Sequence, residues 1–215
     1  MQLNVPLYLQ KEGSVDCGII CLQMILEYHG KKNSFLKLKN NLEVDKVGSY
    51  APQIGTYFLK NDFSIEIITQ HPGLFTLKDQ SKSQTEITQR IKDLLQNTTS
   101  NQEKKVLNFF LKYQKHGGKI NVKIPDINDI IKDIKNKQPL IALFTSHFLT
   151  ATQPEFDFYY NVITGFDQRY IYTNNPYPDN RGGKKKYCIN EFFYGLYSST
   201  YGDLDNGCLL RIKKN

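Results

Sequence analysis

Apolar residues recur at helical spacing near the start of the chain and alternate with polar residues in several later segments. Residues 17–29 carry the clearest helical pattern, which Gly30 closes. The same reasoning predicts four more helices, over residues 34–42, 52–60, 126–137 and 189–198. Strands are predicted over residues 63–69, 139–144, 158–166, 170–173 and 208–212, after an extended lead-in at 5–10. Helices come first and strands dominate later, which is an α+β pattern.

The middle of the chain is more polar than its flanks. Residues 78–118 are rich in Gln, Ser, Thr and Asn at first and then helical around 106–113. The length of 215 residues suits one domain with a proper core. We therefore expect a single domain over 1–215, with a polar helical insertion at about 78–118 that forms either one or two surface helices or a partly mobile segment.

Composition and charge exclude some classes of protein. The hydrophobic content of 40% is that of a globular chain, and the net charge is +7. The basic residues are spread out, however, and their longest run is only Lys184-Lys185-Lys186. No helix-turn-helix, zinc-knuckle or aromatic stacking motif accompanies them. We therefore expect a solvated lysine-rich surface and no nucleic-acid partner.

Other sequence features bear on location and cofactors. The first residues lack the pattern of a secretory signal, and no apolar run has the length of a membrane span. A cytoplasmic protein with free thiols is expected, although export without a signal stays open. The four cysteines lack paired metal-ligand spacing, and there is no glycine-rich phosphate loop. The sequence predicts no cofactor and no metal, and it leaves the oligomeric state undetermined.

Cys17 is the residue best placed for chemistry. It falls in the first turn of the predicted first helix, with Asp16 as the natural N-cap. A helix N-terminus stabilises negative charge, lowers the pKa of a thiol and so raises its thiolate fraction. Gly18 leaves room for a substrate backbone to approach. The alternative is a small buried hydrophobic residue without a catalytic role.

Two groups of motifs resemble known peptidases. The first runs through Val5-Pro6-Leu7, Gln10, Asp16-Cys17-Gly18, Cys21-Leu22, Met24, Tyr28 and Gly30. The second comprises residues 139–144, 158–167, 170–176 and 201–203. Together they resemble bacteriocin-processing (double-glycine leader) peptidases, and still more the family named after guanylyl cyclase domain-containing proteins. The resemblance implies a papain-like cysteine peptidase fold, with a helical lobe packed on an antiparallel sheet.

The same resemblance implies roles for three residues. Cys17 would be the nucleophile, and Gln10 would donate its side-chain amide to an oxyanion hole. Asn175 would orient the catalytic base. Seven positions separate Gln10 from Cys17 where these families show six, and the turn at Gly13-Ser14 can absorb the extra residue. Without these roles, Gln10 is a surface residue and Asn175 part of a good turn.

The catalytic base is the point at which the chain departs from the family pattern. Counting back from Thr164-Gly165, the expected histidine position holds Tyr159. A tyrosine with a pKa of about 10 cannot take a thiol proton as imidazole does. His147 follows a predicted strand that should pair with 158–166, so it is the histidine best placed to act as the base. The alternative is a loop histidine with no catalytic role.

Three functions follow from these expectations. In the first, the chain is a thiol hydrolase or acyltransferase acting on peptide or protein amide bonds through Cys17. In the second, it is a pseudopeptidase that keeps the cleft and binds a peptide or protein partner, because Tyr159 has replaced the histidine. The third, a nucleotide chemistry suggested by the cyclase name, has no motif in its favour.

Overall fold

The computed structural model describes residues 1–145, 149 and 157–215. The helices of this part of the chain are α1 (Cys17–Tyr28), α2 (Phe35–Asn41), α3 (Ala51–Leu59), α4 (Gln84–Asn97), α5 (Asn101–Lys115), α6 (Ile127–Lys135) and α7 (Ile189–Ser198). The strands are β1 (Phe63–Thr69), β2 (Lys119–Val122), β3 (Leu140–Phe144), β4 (Tyr159–Phe166), β5 (Tyr170–Asn175), β6 (Gly183–Cys188) and β7 (Cys208–Lys214). The α+β class predicted from the sequence is confirmed.

One mixed sheet organises the described strands, in the order β2-β1-β7-β3-β4-β5-β6. β1 and β2 are parallel, and the other neighbouring strands are antiparallel. The predicted pairing of residues 139–144 with 158–166 is observed as β3 against β4, with Phe144 opposite Tyr159. This register places the first residue of β4, Tyr159, beside the last residue of β3. Tyr159 therefore lies at one end of the central strands.

Helices cover both faces of the sheet. Helices α1 and α3 pack with Tyr160, Val162 and other residues of one face in the larger hydrophobic core. Helices α6 and α7 pack with Leu140, Ile163 and their neighbours on the opposite face. The alternation of side chains along a strand assigns Tyr160 and Val162 to the α1 face. α1 therefore lies directly over β4, and its first residue can meet the start of that strand.

The polar middle segment contributes more to the core than its composition predicts. It forms α4 and α5, and the inner face of α5 is buried, including Phe110 and Tyr113 at 0% exposure. The Tyr113 hydroxyl donates to the backbone oxygens of Ile65 and Lys119, which joins α5 to β1 and β2. α5 is therefore amphipathic, with a polar outer face and apolar residues at helical spacing on the face that packs against the sheet.

Two strands were absent from the sequence prediction. β2 has only four residues, and β6 contains Lys184, Lys185 and Lys186 at the edge of the sheet. Lysines on an edge strand block pairing with other chains, so this composition suits β6 although it does not resemble a core strand. β2 does alternate polar and apolar residues, but over only four positions, which is too short a run to stand out, and β6 lacks an apolar face over its first four residues.

Candidate active site

Cys17 is the first residue of α1, as predicted. Asp16 occupies the N-cap position, but its side chain makes no capping hydrogen bond. Both of its carboxylate oxygens instead accept from Lys39 Nζ, at 2.9 and 3.2 Å. The prediction of an Asp16 cap is therefore right in position and wrong in contact, because the ammonium group of α2 captures the carboxylate.

A cavity of about 260 Å³ opens beside Cys17. It is bordered by the 47–50 loop, the start of β4 and the turn before β7, including Tyr159, Tyr160 and Asp205. None of the described residues that line it is Lys, Arg or His. The carboxyl groups at its wall give the cavity an acidic character in a chain that is otherwise basic.

The thiol of Cys17 is not the preformed thiolate that the sequence predicts. Burial raises the pKa of Cys17 to about 11, and the Asp16 charge raises it further. Backbone amides of Tyr160, Gly18 and Cys17 itself lower the pKa, but by less than burial raises it. The helix N-terminus therefore acts in the expected direction, and desolvation outweighs it. Cys17 is a thiol at neutral pH and needs a base in order to react.

The missing side chain of Gly18 serves close packing of α1 against its neighbours. A Cβ atom at this position would lie 2.2 Å from Ser49 Oγ and 3.0 Å from the Tyr160 ring. The absent side chain lets the 47–50 loop and β4 approach α1 closely. Cys17 is thereby held against the sheet.

Tyr159 lies where counting along the sequence put it, in the cavity beside Cys17. Burial raises the pKa of its hydroxyl, and a hydrogen bond to Tyr177 raises it further. The two rings meet edge to face, with centroids 4.8 Å apart. A hydroxyl held in this way stays protonated, so Tyr159 cannot act as the base that a histidine would be.

Gln10 is buried, at 5% exposure, and is not the surface residue of the alternative expectation. Its backbone N–H donates to Pro176 O at 2.7 Å, and its Nε2 donates to Ser14 O at 2.9 Å. The 11–14 turn closes with Ser14 N donating to Lys11 O, with Gly13 at φ +69°. The extra residue between Gln10 and Cys17 is thus accommodated where the sequence indicated. Gln10, Ser14 and Tyr159 border a second cavity next to the first.

Asn175 is fully buried at the end of β5. Its Oδ1 accepts from Tyr177 N at 3.0 Å, and its Nδ2 donates to Arg181 O at 3.4 Å. These bonds build the turn that presents Tyr177 to Tyr159. The structure therefore links Asn175 to the Cys17 cavity through Tyr177.

The histidines offer no base within the described part of the chain. His147 lies outside the described residues. His29 ends α1, at the opposite end of the helix from Cys17, and His116 ends α5. Burial lowers the pKa of His71 to about 4, and its Nδ1 accepts from Gly73 N at 3.0 Å. None of these three borders the cavity beside Cys17.

Asp205 is the ionisable residue of this site that sequence reasoning missed. It is 2% exposed, and its Oδ2 accepts from Ala51 N at 2.7 Å and from the Tyr160 hydroxyl at 3.3 Å. It therefore joins the N-terminus of α3 to β4 at the wall of the Cys17 cavity. No periodicity marks it, because it sits in a turn whose composition resembles any surface turn.

A model described as the Peptidase_C39 like family matches residues 2–203. The chain belongs to this family. Membership supports a cysteine peptidase-like function for the protein and agrees with the papain-like resemblance of its motifs. Asp205 lies two residues beyond the matched region, so the family match does not extend to it.

Two solved structures similar to this C39-like chain are a protease and a peptidase domain. One is a double glycine motif protease from an AMS/PCAT transporter in complex with the leader peptide. It has a TM-score of 0.52 at 15% identity, covering 100% of this chain and 94% of that one. Another is the peptidase domain of Streptococcus ComA, a bifunctional ABC transporter involved in quorum sensing. Its TM-score is 0.51 at 13% identity, covering 99% of this chain and 100% of that one. At these identities the likeness shows the papain-like fold. No curated protein matches the sequence.

Two further findings limit the kinds of site in the C39-like chain. Among the described residues, no group of three His, Cys, Asp or Glu side chains is arranged to hold a metal ion. In the same part of the chain, no helix combines the length and apolar character that a bilayer crossing demands.

The stability of this C39-like domain should depend on the ionisation of Asp205. Burial, reinforced by Asp203, raises the pKa of Asp205 from 3.8 to about 7. The folded state thus binds more protons than the unfolded state between about pH 4 and 7. The stability from the protonated carboxyl is fully present below about pH 4 and is lost as the pH rises through 7.

We expect urea unfolding to show this loss as a difference between wild type and Asp205→Asn. The wild type should lose stability relative to the variant as the pH rises from 4 to 8, by at most about 1.4 kcal/mol per pH unit. The other carboxyl groups titrate in both proteins, so their contribution to the free energy of unfolding cancels when the variant is subtracted from the wild type. A constant difference across this range would contradict the raised pKa.

Proposed function

We propose that this protein is a thiol-dependent peptidase that cleaves an amide bond of a peptide bound against Cys17. The observation that carries the proposal is the placement of Cys17 at the first turn of α1, on an open cavity beside the start of β4. A nucleophile needs access to substrate and nearby polarising groups, and this cavity offers both. The cysteine peptidase-like function of the family supports this proposal.

The shape of the site favours an extended peptide as the substrate. Ser14 and Tyr159 border both the Cys17 cavity and the neighbouring cavity of Gln10. The two cavities therefore adjoin, and the first of them is bordered by Cys17. The similar transporter protease was crystallised with its leader peptide, which supports a segment of this type as the ligand here. We infer peptide or unfolded protein as the substrate class.

Gln10 would contribute to stabilisation of the oxyanion. Its amide nitrogen carries two hydrogens, of which one is donated to Ser14 O. The other is free to serve a substrate oxygen without disturbing the turn. Together with the amides of the first turn of α1, it would meet the negative charge that develops in the transition state. Asn175 would act by holding the turn that carries Tyr177, rather than by orienting a histidine at position 159.

A second candidate, a peptide-binding protein without turnover, is favoured by Tyr159. This residue stands in the expected histidine position with its hydroxyl hydrogen-bonded to Tyr177. A packed tyrosine pair suits the wall of a binding groove, since aromatic side chains bury large area with few rotatable bonds. The same cavity would then retain a peptide instead of cleaving it.

Incubation with a pool of synthetic peptides separates the two candidates. The pool should include sequences with adjacent glycines, as in the substrates of the double glycine motif protease. For a peptidase, mass spectrometry should find new termini with the native protein and none with protein first alkylated at Cys17. Peptides that co-purify with the protein intact would instead establish the binding function and overturn the peptidase.

A further inference from the structure

The polar middle segment reaches the wall of the Cys17 cavity through the first turn of α5. The start of this helix is capped, because Ser100 Oγ accepts from Glu103 N at 3.2 Å. Near its other end, the Tyr113 hydroxyl bonds the sheet, and the apolar face between them is buried in the larger core. Gln102, in the capped first turn, therefore extends from a helix that is held along its length.

One face of α5 contacts Tyr50, which belongs to the 47–50 loop. Gln102, Lys105 and Phe109 are spaced by three and then four positions, so they share a face of the helix. Gln102 Nε2 donates to the Tyr50 hydroxyl at 2.8 Å. The Lys105 ammonium group lies 5.5 Å from the centre of the Tyr50 ring, and the centre of the Phe109 ring lies 5.4 Å from it. The position of Tyr50 is thus set by α5 as well as by its own loop.

Gln102 also bonds the turn before β7. Its Nε2 lies 3.2 Å from each carboxylate oxygen of Asp203. A side-chain amide nitrogen carries two hydrogens, so it can serve the phenol oxygen of Tyr50 and the carboxylate at the same time. Tyr50 and Asp203 both border the cavity beside Cys17. Gln102 therefore joins two segments of the cavity wall that are distant from each other in the sequence.

The protonation of Tyr50 fixes the direction of these hydrogen bonds. Burial raises the pKa of its hydroxyl to about 12, and the charges of Asp45 and Asp203 contribute to the rise. The protonated hydroxyl donates to Asp45 Oδ2 at 3.2 Å and accepts from Gln102. Asp45 is paired in turn with Lys105. The bonds therefore run without a break from α5 through the loop and back through Gln102 to the turn before β7.

We propose that Gln102 is a positioning residue, which holds the 47–50 loop and the turn before β7 at the separation that sets the width of the Cys17 cavity. It is not among the residues that border the cavity, and it acts through Tyr50 and Asp203. Its role in catalysis rests on the proposed peptidase function, whereas its effect on access to the thiol does not. The polar middle segment, which its composition alone assigns to the surface, thereby gains a part in the site.

Two alkylating reagents of different size measure this access. Iodoacetamide and its larger N-phenyl derivative, iodoacetanilide, carry the same reactive group and are attacked by the same thiolate. The ratio of their rates at Cys17, located by mass spectrometry, therefore cancels any change in the pKa of the thiol and reports the room around it. In Gln102→Leu, the rate with iodoacetanilide relative to iodoacetamide should rise at least about threefold, because wall segments that are no longer joined open more often.

Gln84→Leu is the matched control. Gln84 of α4 also joins the polar middle segment to another element by two side-chain bonds, donating to Ile120 O at 2.8 Å and accepting from Ile120 N at 2.9 Å. It borders neither cavity of the site. Its variant should lose stability in urea as Gln102→Leu does, but keep the wild-type ratio of the two rates. An equal rise in both variants would show a general loosening of the fold and overturn the positioning role. An unchanged ratio in Gln102→Leu would overturn it as well.

An exchange of donor and acceptor tests whether the effect passes through Asp203. In Gln102→Glu, two carboxylates face each other and repel, so the ratio should rise as in Gln102→Leu. Adding Asp203→Asn supplies an amide that can donate to the introduced carboxylate. The double variant should return to within about twofold of the wild-type ratio, because the bond is restored with its polarity reversed. A double variant no closer to wild type than Gln102→Glu would refute the role assigned to this pair.

Peptide cleavage separates this inference from the proposed function. If the wild type cleaves a peptide, Gln102→Leu should raise KM at least about threefold and change kcat by less, because the residue shapes the wall that binds substrate and touches no reacting atom. A fall in kcat at unchanged KM would contradict the positioning role. If the wild type cleaves no peptide, the peptidase function fails and the catalytic role of Gln102 fails with it. The ratio of the two alkylation rates then still decides whether Gln102 sets the width of the cavity.

Discussion

Cys17→Ala should lower peptide cleavage by at least about a thousandfold while leaving the folded protein intact. The loss follows from the removal of the sulfur that forms the covalent bond to substrate, for which alanine has no substitute. The substitution suits a helix, and Cys17 is partly exposed, so the free energy of unfolding should change by no more than about 1 kcal/mol. Initial rates and urea unfolding give the two quantities.

Cys188→Ala is the matched control for this prediction. Cys188 is also a partly exposed thiol next to the start of a helix, α7, but it borders neither cavity of the site. We expect its removal to leave cleavage unchanged. Equal cleavage by the Cys17→Ala variant would refute Cys17 as the nucleophile and with it the proposed peptidase.

Arg211→Met should destabilise the protein by about 3–5 kcal/mol at pH 7. Arg211 of β7 is 9% exposed and donates through Nε to Asp133 of α6 at 2.6 Å. It also contacts Asp129 and Glu66, so one guanidinium joins α6, β7 and β1. Methionine fills similar space, but it leaves the Asp133 carboxylate, at 0% exposure, without its cation. Urea unfolding monitored by circular dichroism measures the loss.

The pH dependence of that loss identifies its cause. Burial already raises the pKa of Asp133 in the wild type, although Arg211 opposes the shift. Without Arg211 this pKa rises further, so the variant should recover stability relative to wild type as the pH falls and Asp133 becomes neutral. Lys184→Met, on the exposed edge strand β6, should change stability by no more than about 0.5 kcal/mol. A loss for Arg211→Met that does not change with pH would point to packing and not to the buried charge.

The two halves of the structure contribute differently to the proposed chemistry. Arg211 and its carboxylate partners Asp129, Asp133 and Glu66 lie on the face of the sheet opposite α1. They stabilise the packing of α6 on the sheet that contains β4. The Cys17 site lies on the other face and depends on how closely α1 and β4 approach. A stability defect at Arg211 should therefore lower activity in proportion to the folded fraction, without altering the pH profile of the remaining enzyme.

Much of the architecture was predictable from local sequence. Helical spacing of apolar residues located α1, alternation located β1, and a continuous apolar run located the buried strand β3. The strands β2 and β6 were not predicted, and the helix around 106–113 was predicted without its place in the core. Short, charged or polar segments acquire their role from the neighbours that they pair with or pack against.

For the site, the sequence by itself determined Cys17 at the start of α1, and a motif count placed Tyr159 opposite it. Tertiary structure decided the rest. Helix position predicted a lowered thiol pKa, but desolvation raises it, and burial is a property of the packed sheet and helix. Asp205, 188 residues from Cys17 along the chain, carries no local signal. It reaches the cavity because α3, β4 and the turn before β7 converge there, and side chains distant in sequence meet only when such elements pack together.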